Sequence, residues 1–482
     1  MKHKTLKLSA IAAAIVGMTL AACGSGGELI TVTQGTVIQN TTVVNTRDGS
    51  LASGMAVIID GGKVQKITSA NVVAGGTAVT VDGTGKFVVP GFLDMHTHAN
   101  PTVDKTPSDF PMLLAYGVTG VREMSGSAAA IVRMKQYNAD VSAGLFDGPE
   151  VLMMPGDIFG GQAPTAPLAV QFVQQQKTNG ADFIKVASGG RDAVLAILGE
   201  AKNQGLTVAG HLVPGISAQE SSNAGWRAIE HLGSGWGLML DCATDQAAIR
   251  ASILNGDGAK PPFPATYTVS PRLVDGPLNA KFYQRVMDTY SDPLCQSLAQ
   301  TFAKNGTWQV PTLIRLRMMN FSDAQVFRTD PNLAYVDKTR RALWEQLGSQ
   351  YTTAVPAAAT TTIQQYYGLY QRTTKLMKQN GVKMMTGSDL GGIWVIPGVG
   401  LHQEFRELAT AGLSPLEILH MTTLNGAEFM GRESTMGSVD AGKNADLVLL
   451  DGDPIADVAN LDKVAAVFLK GKYFSKTALE KM

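Results

Sequence analysis

Short apolar runs alternate with helix-like stretches between residues 87 and 435, and six polar residues of metal-ligand type fall at the ends of such runs. Turn-rich β segments lie at both ends of the chain. Together these observations predict an α/β fold: a (β/α)8 TIM barrel carrying a small β-sandwich built from both chain ends. The alternative, a doubly wound open sheet, would not bring so many strand ends to one point. The chain has 482 residues, 45% hydrophobic and 17% charged, with a formal net charge of zero. That length suits one large domain plus a smaller one, and the balance speaks against disorder and against nucleic acid as a partner. The 52 glycines fit a loop-rich enzyme with many tight turns.

The N-terminus is read apart from the fold. Lys2, His3, Lys4 and Lys7 precede the apolar segment Leu8 to Leu20, which is shorter than the ~20 residues that span a bilayer. Residues 1–23 read as a lipoprotein signal peptide, with Leu20-Ala21-Ala22-Cys23 in the form of a lipobox and Cys23 as the lipidated residue. Residues 24–29 form a Gly/Ser-rich linker. Such an anchor holds a protein at a membrane without spanning it. Gly24, in place of an aspartate, points to the outer membrane of a bacterial envelope.

Residues 30–86 read as short strands, with Asp60-Gly61-Gly62 as a hairpin turn. Residues 436–480 repeat this character, with strands at 445–450 and 464–469, and the two stretches form the predicted sandwich. Between them, 87–435 is the predicted barrel. Its eight strands end near His98, Glu123, Met154, Ala187, Leu212, Leu232, Leu313 and Asp389. Residues 240–306 interrupt the rhythm with Pro261, Pro262, Pro264 and Pro271, and read as a lid-like insertion. Cys242 and Cys295 lie in it. Export would place them in an oxidising compartment, so a disulfide is expected, with two buried thiols as the alternative.

His96-Thr97-His98 ends the first of these strands. Residues i and i+2 of a strand share a face, so both imidazoles can reach one metal ion. Lys185, His211, His231 and Asp389 follow at later strand ends. Divalent first-row metals take imidazole nitrogen and carboxylate oxygen. A charged lysine ending an apolar strand is costly to bury. Carboxylated by carbon dioxide, Lys185 becomes an anion able to bridge two cations.

On these residues the chain resembles the amidohydrolase superfamily, in its imidazolonepropionase-like and Xaa-Pro dipeptidase-like branch. The resemblance also covers Gly117 to Arg122, Ile184 to Gly190, Glu230-His231, Gly387-Ser388-Asp389, Ala411 to Glu417 and Gly437 to Val448. It implies that His96, His98 and Asp389 bind one metal, that His211 and His231 bind the other, and that carboxylated Lys185 joins them. It further implies a metal-dependent hydrolase of amide bonds in dipeptides, N-acyl amino acids or related compounds, with Asp389 as general base and acid. Zinc is the expected metal, with manganese, cobalt and iron allowed. Cyclic-amide, lactone or phosphotriester hydrolysis and a non-catalytic ligand-binding lipoprotein are the other readings.

Relatives often carry His after the Gly-Gly that follows strand three, where this chain has Gln162, which does not ionise near neutrality. Arg122 is a candidate for orienting the site, for binding substrate or for a structural ion pair. Arg315 and Arg317 are candidates for meeting a substrate carboxylate or for solvated surface positions. Trp236 and Trp394 are candidates for lining the pocket or for packing, His402 for supporting the ligands, lining the pocket or merely starting a helix, and His420 for packing. A small-molecule substrate, the membrane and a second copy of the chain are the expected partners.

Overall fold

The computed structural model describes residues 29–99, 108–259 and 266–482, without the side chains of residues 266 and 267. The signal peptide, Cys23 and linker residues 24–28 lie outside the described residues, as do Pro261, Pro262 and Pro264.

The fold is α/β. Phe92–Thr97, Val118–Glu123 and Glu150–Met153 form one parallel sheet with Val118–Glu123 in the centre. Phe159–Gly160, Phe183–Ser188, Thr207–Gly210, Trp226–Glu230 and Trp308–Val310 form a second, in sequence order and all parallel. Residues 384–390 run between the two sheets. Met384 bridges Gln309, Leu390 bridges Thr97, and Met95 N–H donates to the Thr386 carbonyl at 2.9 Å. On the far side, Asp182 N–H donates to the Met154 carbonyl at 3.0 Å. Leu93, Met95, Phe183, Ala209, Trp308 and Val310 from these strands pack into one apolar cluster. Alternate residues such as Ile184, Val186, Val208 and Ile229 pack outward against helices including Ala128–Ser142, Ala166–Asn179 and Arg191–Asn203. That alternation is the period-two rule of a strand covered on both faces.

Three expected strand ends overshoot. The ladders stop at Gly210, Glu230 and Val310, ahead of Leu212, Leu232 and Leu313. The physical reason is backbone handedness: Gly210 has φ of +140°, and His231, Leu232 and Thr312 have φ of +54°, +51° and +46°, which no strand continues through.

The two chain ends share one mixed sheet. Phe87–Pro90 pairs with Thr36–Val44 on one side and with Leu447–Leu450 on the other. Val464–Leu469 and Lys472–Ser475 extend it one way, Leu51–Asp60 and Lys63–Thr68 the other. Ile38, Val57 and Ile59 pack on one face with Leu447, Leu449 and Phe468. Val37, Ala56 and Ile58 pack on the opposite face under the two-stranded piece Leu29–Val32 and Asn71–Ala74.

The lid-like insertion is mostly helical where described: Gln246–Leu254, Thr266–Val269, Arg272–Thr289 and Asp292–Asn305. Pro271 and Pro293 stand at helix starts, where a missing N–H costs nothing. Cys242 and Cys295 are joined in a disulfide with Cα atoms 4.6 Å apart. No helix among the described residues is long and apolar enough to cross a membrane.

Candidate metal centre

His96 is fully buried at the end of Phe92–Thr97, and His98 follows it with a side chain 31% exposed. The backbone of residue 387 approaches so closely that a Cβ there would stand 2.7 Å from His96 Cβ, so only glycine fits. Asp389 follows with φ +55° and donates its N–H to the His96 carbonyl at 2.9 Å. A non-glycine residue in that region costs of order 1–3 kcal/mol and is held only by its surroundings. The result is a tight group: one ligand atom each from His96, His98 and Asp389 lie within 4.8 Å of one another. Asp389 Oδ1 is 3.2 Å from His96 Nε2 and 3.4 Å from His98 Nε2, and its Oδ2 is 3.9 Å from His231 Nε2. The ring centroids of His96 and His231 are 4.4 Å apart, and those of His211 and His231 5.1 Å.

Lys185 lies on Phe183–Ser188, paired with Ala209 one residue short of Gly210-His211. Its Nζ is buried with no hydrogen-bond partner among the described residues, and His96 Nε2 is in the same condition. Burial pushes the Lys185 amine down to about 8, against the pull of Glu230 and Asp389. Burial also pushes His211 down to about 3 and His231 well below the usual imidazole range. For Asp389, burial works upward, but the neighbouring His231, His96 and His98 hold its carboxyl well below the usual carboxylate range. Neutral imidazoles, an ionised carboxylate and an amine that deprotonates readily are the donor forms a cation pair and a lysine carbamate require. The orphaned Lys185 Nζ and His96 Nε2 therefore fit such a group.

A layer of residues behind the ligands fixes their orientation. His96 Nδ1 faces Glu230 Oε2 at 2.7 Å, and Arg122 Nη2 donates to Glu230 Oε1 at 2.8 Å. Glu230 is held down to about 2: burial opposes this, and Arg122 and His96 outweigh it. A carboxylate only accepts, so His96 carries its proton on Nδ1 and presents a lone pair at Nε2. His231 Nδ1 meets Thr312 Oγ1 at 2.6 Å, while that hydroxyl donates to the Pro311 carbonyl at 2.8 Å. Asp94 accepts from the His96 N–H at 3.2 Å and from Ser388 Oγ at 2.6 Å, tying the first strand to the Asp389 loop. Burial raises Asp94 to about 6. The sequence assigns no role to Thr312, Asp94, Glu230 or Ser388, although the last two lie in motifs that carry the resemblance. For Glu230 a signal existed, an acid closing a buried apolar strand beside His231.

The structure brings His96, His98, Lys185, His211, His231 and Asp389 to one end of the parallel strands, with Arg315 against Asp389. It does not bring the other candidates there. Arg122 lies behind His96, its Nε bonded to the Met95 carbonyl at 2.6 Å and its guanidinium between the Phe183 and Phe429 rings. It takes the orienting, ion-pair role rather than one toward substrate. Gln162 is exposed and folds onto its own loop, bonding Gly160 N–H and the Ile158 carbonyl. His402 has both ring nitrogens engaged, by Asp462 Oδ1 at 2.8 Å and the Tyr116 carbonyl at 2.7 Å, and so is not free for a ligand. Trp394 is buried, donates to the Ser322 carbonyl at 2.8 Å and packs against Trp344. Trp236 packs on Phe282, and Arg317 pairs with Glu407.

The fold is α/β, and residues 371–473 match the amidohydrolase family. The resemblance read from the sequence is borne out by its relatives. A stretch of 42 residues is 50% identical to the imidazolonepropionase of Shouchella clausii (strain KSM-K16), and that match spans only 9% of this chain and 9% of the relative. Among solved structures, a bottromycin amidohydrolase superposes with a TM-score of 0.68 at 19% identity, over 92% of this chain and 88% of that one. A Xaa-Pro dipeptidase with bound methionine superposes with a TM-score of 0.62 at 17% identity, over 92% of this chain and 100% of that one. At these identities the likeness is one of fold.

Proposed function

We propose that this chain is a binuclear metal-dependent hydrolase of amide carbon–nitrogen bonds, acting on a dipeptide, an N-acyl amino acid or a related small amide. The carrying observation is the pair of orphaned buried donors, Lys185 Nζ and His96 Nε2, inside a ring of three further imidazoles and Asp389. In this reading residues 87–435 form a closed (β/α)8 barrel, with 384–390 as its eighth strand. Residues 30–86 with 436–480 form the accessory β domain.

His96, His98 and Asp389 would hold one divalent cation, His211 and His231 the other, and carboxylated Lys185 both. Zinc suits this donor set. Two such cations supply Lewis acidity toward a carbonyl oxygen and a bound water acidic enough to react near neutral pH. The chain's own part falls to Asp389, which accepts the proton of the attacking water and returns it to the leaving nitrogen. Glu230 and Arg122 keep His96 in the Nδ1–H form throughout. The Thr312 hydroxyl does the same for His231. Export and lipid anchoring at Cys23 complete the proposal, and the Cys242–Cys295 disulfide supports an oxidising compartment.

The test is a screen of the purified full chain against dipeptide, N-acyl amino acid, lactone and phosphotriester libraries, with bound metal measured in the same preparation. Turnover of amides with metal bound is the expected result. Metal with turnover of esters or phosphotriesters alone would move the chemistry to those bonds. No metal and no turnover would overturn the reading.

A further inference from the structure

The two oxygens of Asp389 have different neighbours. Oδ1 faces His96 and His98 at 3.2 and 3.4 Å. Oδ2 accepts a 2.9 Å bond from Arg315 Nε. Rotation about the Cβ–Cγ bond of an aspartate is soft and nearly two-fold, so nothing in the residue itself keeps its oxygens apart. A guanidinium can: it is planar, permanently charged and offers donors in fixed directions.

Arg315 is held as if for that task. It is only 2% exposed, and its Nη2 donates to the Thr268 carbonyl at 3.0 Å. Its Nη1 is buried with no partner among the described residues. A buried, partly unsatisfied cation is poorly explained by stability alone. The chain also leaves room for it. A Cβ at Gly392 would stand 2.5 Å from the guanidinium carbon, and Gly392 lacks the left-handed backbone that would require glycine. The far side is supplied by the insertion. Besides Thr268, the Val269 carbonyl accepts from Ile393 N–H at 3.1 Å, so Thr266–Val269 is bonded to both Arg315 and the loop that follows Asp389.

We infer that Arg315 is a positioning residue that commits Oδ2 of Asp389, leaves Oδ1 toward His96 and His98, and thereby lets the helical insertion set the orientation of the acid. The inference rests on the reading of Asp389 as metal ligand and proton carrier. A carboxylate oxygen has two acceptor sites, so Oδ2 can hold Arg315 and still take a proton from water.

The test uses the full chain loaded with Co2+ and reads the visible spectrum of the bound ion, which needs no substrate. Arg315→Met should change that spectrum with Co2+ stoichiometry retained. Gly392→Ala, which displaces the guanidinium without removing it, should change it the same way, and Arg315→Lys should lie between Met and wild type. On any amide the wild type turns over, Arg315→Met should lower kcat about a hundredfold with KM little changed, the scale of a small misplacement of a reacting group. Arg315→Met and Gly392→Ala spectra superimposable on wild type would overturn the inference and leave the metal site standing. A wild-type chain that binds no Co2+ would instead overturn the reading beneath it.

Discussion

Two regions of this chain rest on the same backbone ladder and treat polar groups in opposite ways. In the mixed sheet of the chain ends, apolar residues alternate between two faces, Val37 to one side and Ile38 to the other, apart from one bulge around Asn40, which has φ of +59°. At the ends of the parallel strands, His231, Leu232, Thr312 and Asp389 all carry positive φ without being glycine. There, too, His96 Nε2, Lys185 Nζ and Arg315 Nη1 are buried without a hydrogen-bond partner among the described residues. Each such feature costs of order 1–3 kcal/mol. The sheet is arranged for stability, and the strand ends hold an arrangement that stability alone would not keep.

Substitutions should separate the two. Asp389→Asn conserves size and removes the proton carrier, so turnover should fall about a thousandfold or more while circular dichroism still reports a folded chain. Retained turnover would remove Asp389 from the mechanism. Phe468→Ala, in the buried face of the mixed sheet, should do the converse: a loss of about 3–5 kcal/mol in urea unfolding, with kcat of the folded protein unchanged. A loss of kcat instead would mean that the sheet takes part in the site.

Glu230→Gln sharpens the contrast within the strand ends. It removes the acceptor that sets the His96 tautomer, and should weaken metal binding about 10–100-fold in a competition with a chromogenic chelator. Unchanged affinity would reduce Glu230 to a partner of Arg122. The smallest effect belongs to the surface of the sheet. The bond from Arg47 holds Asp440 down to about 2. A carboxylate depressed in the folded state stabilises above its unfolded value near 4 and loses that contribution as pH falls toward 2. The pair is substantially exposed, so its share should stay below about 1 kcal/mol. Asp440→Asn should therefore flatten the acid limb of the stability curve slightly and leave neutral pH almost untouched.

Much of the site was legible because strand alternation and strand-end position place chemistry by rule. His96, His98 and Lys185 lie on or beside the parallel strands, and His211, His231 and Asp389 just past them. What was not legible depended on contacts between distant segments. Nothing local tells that Arg315 reaches Asp389 rather than solvent, that Glu230 meets both His96 and Arg122, or that His402 spends both nitrogens on Asp462 and Tyr116. The helical insertion was obscured by its prolines, although Pro271 merely begins a helix. The overshot strand ends have a similar cause: apolar character runs past Glu230 and Val310, but the backbone turns left-handed at His231 and Thr312.

In the proposed function the strand ends hold a pair of cations joined through Lys185. Elemental analysis of active full-length protein, beside Lys185→Met, tests it most directly. About two equivalents of divalent metal per chain are predicted, with most of that metal and the activity lost in the variant. An active preparation without bound metal, or a Lys185→Met chain as metal-rich and active as wild type, would contradict it.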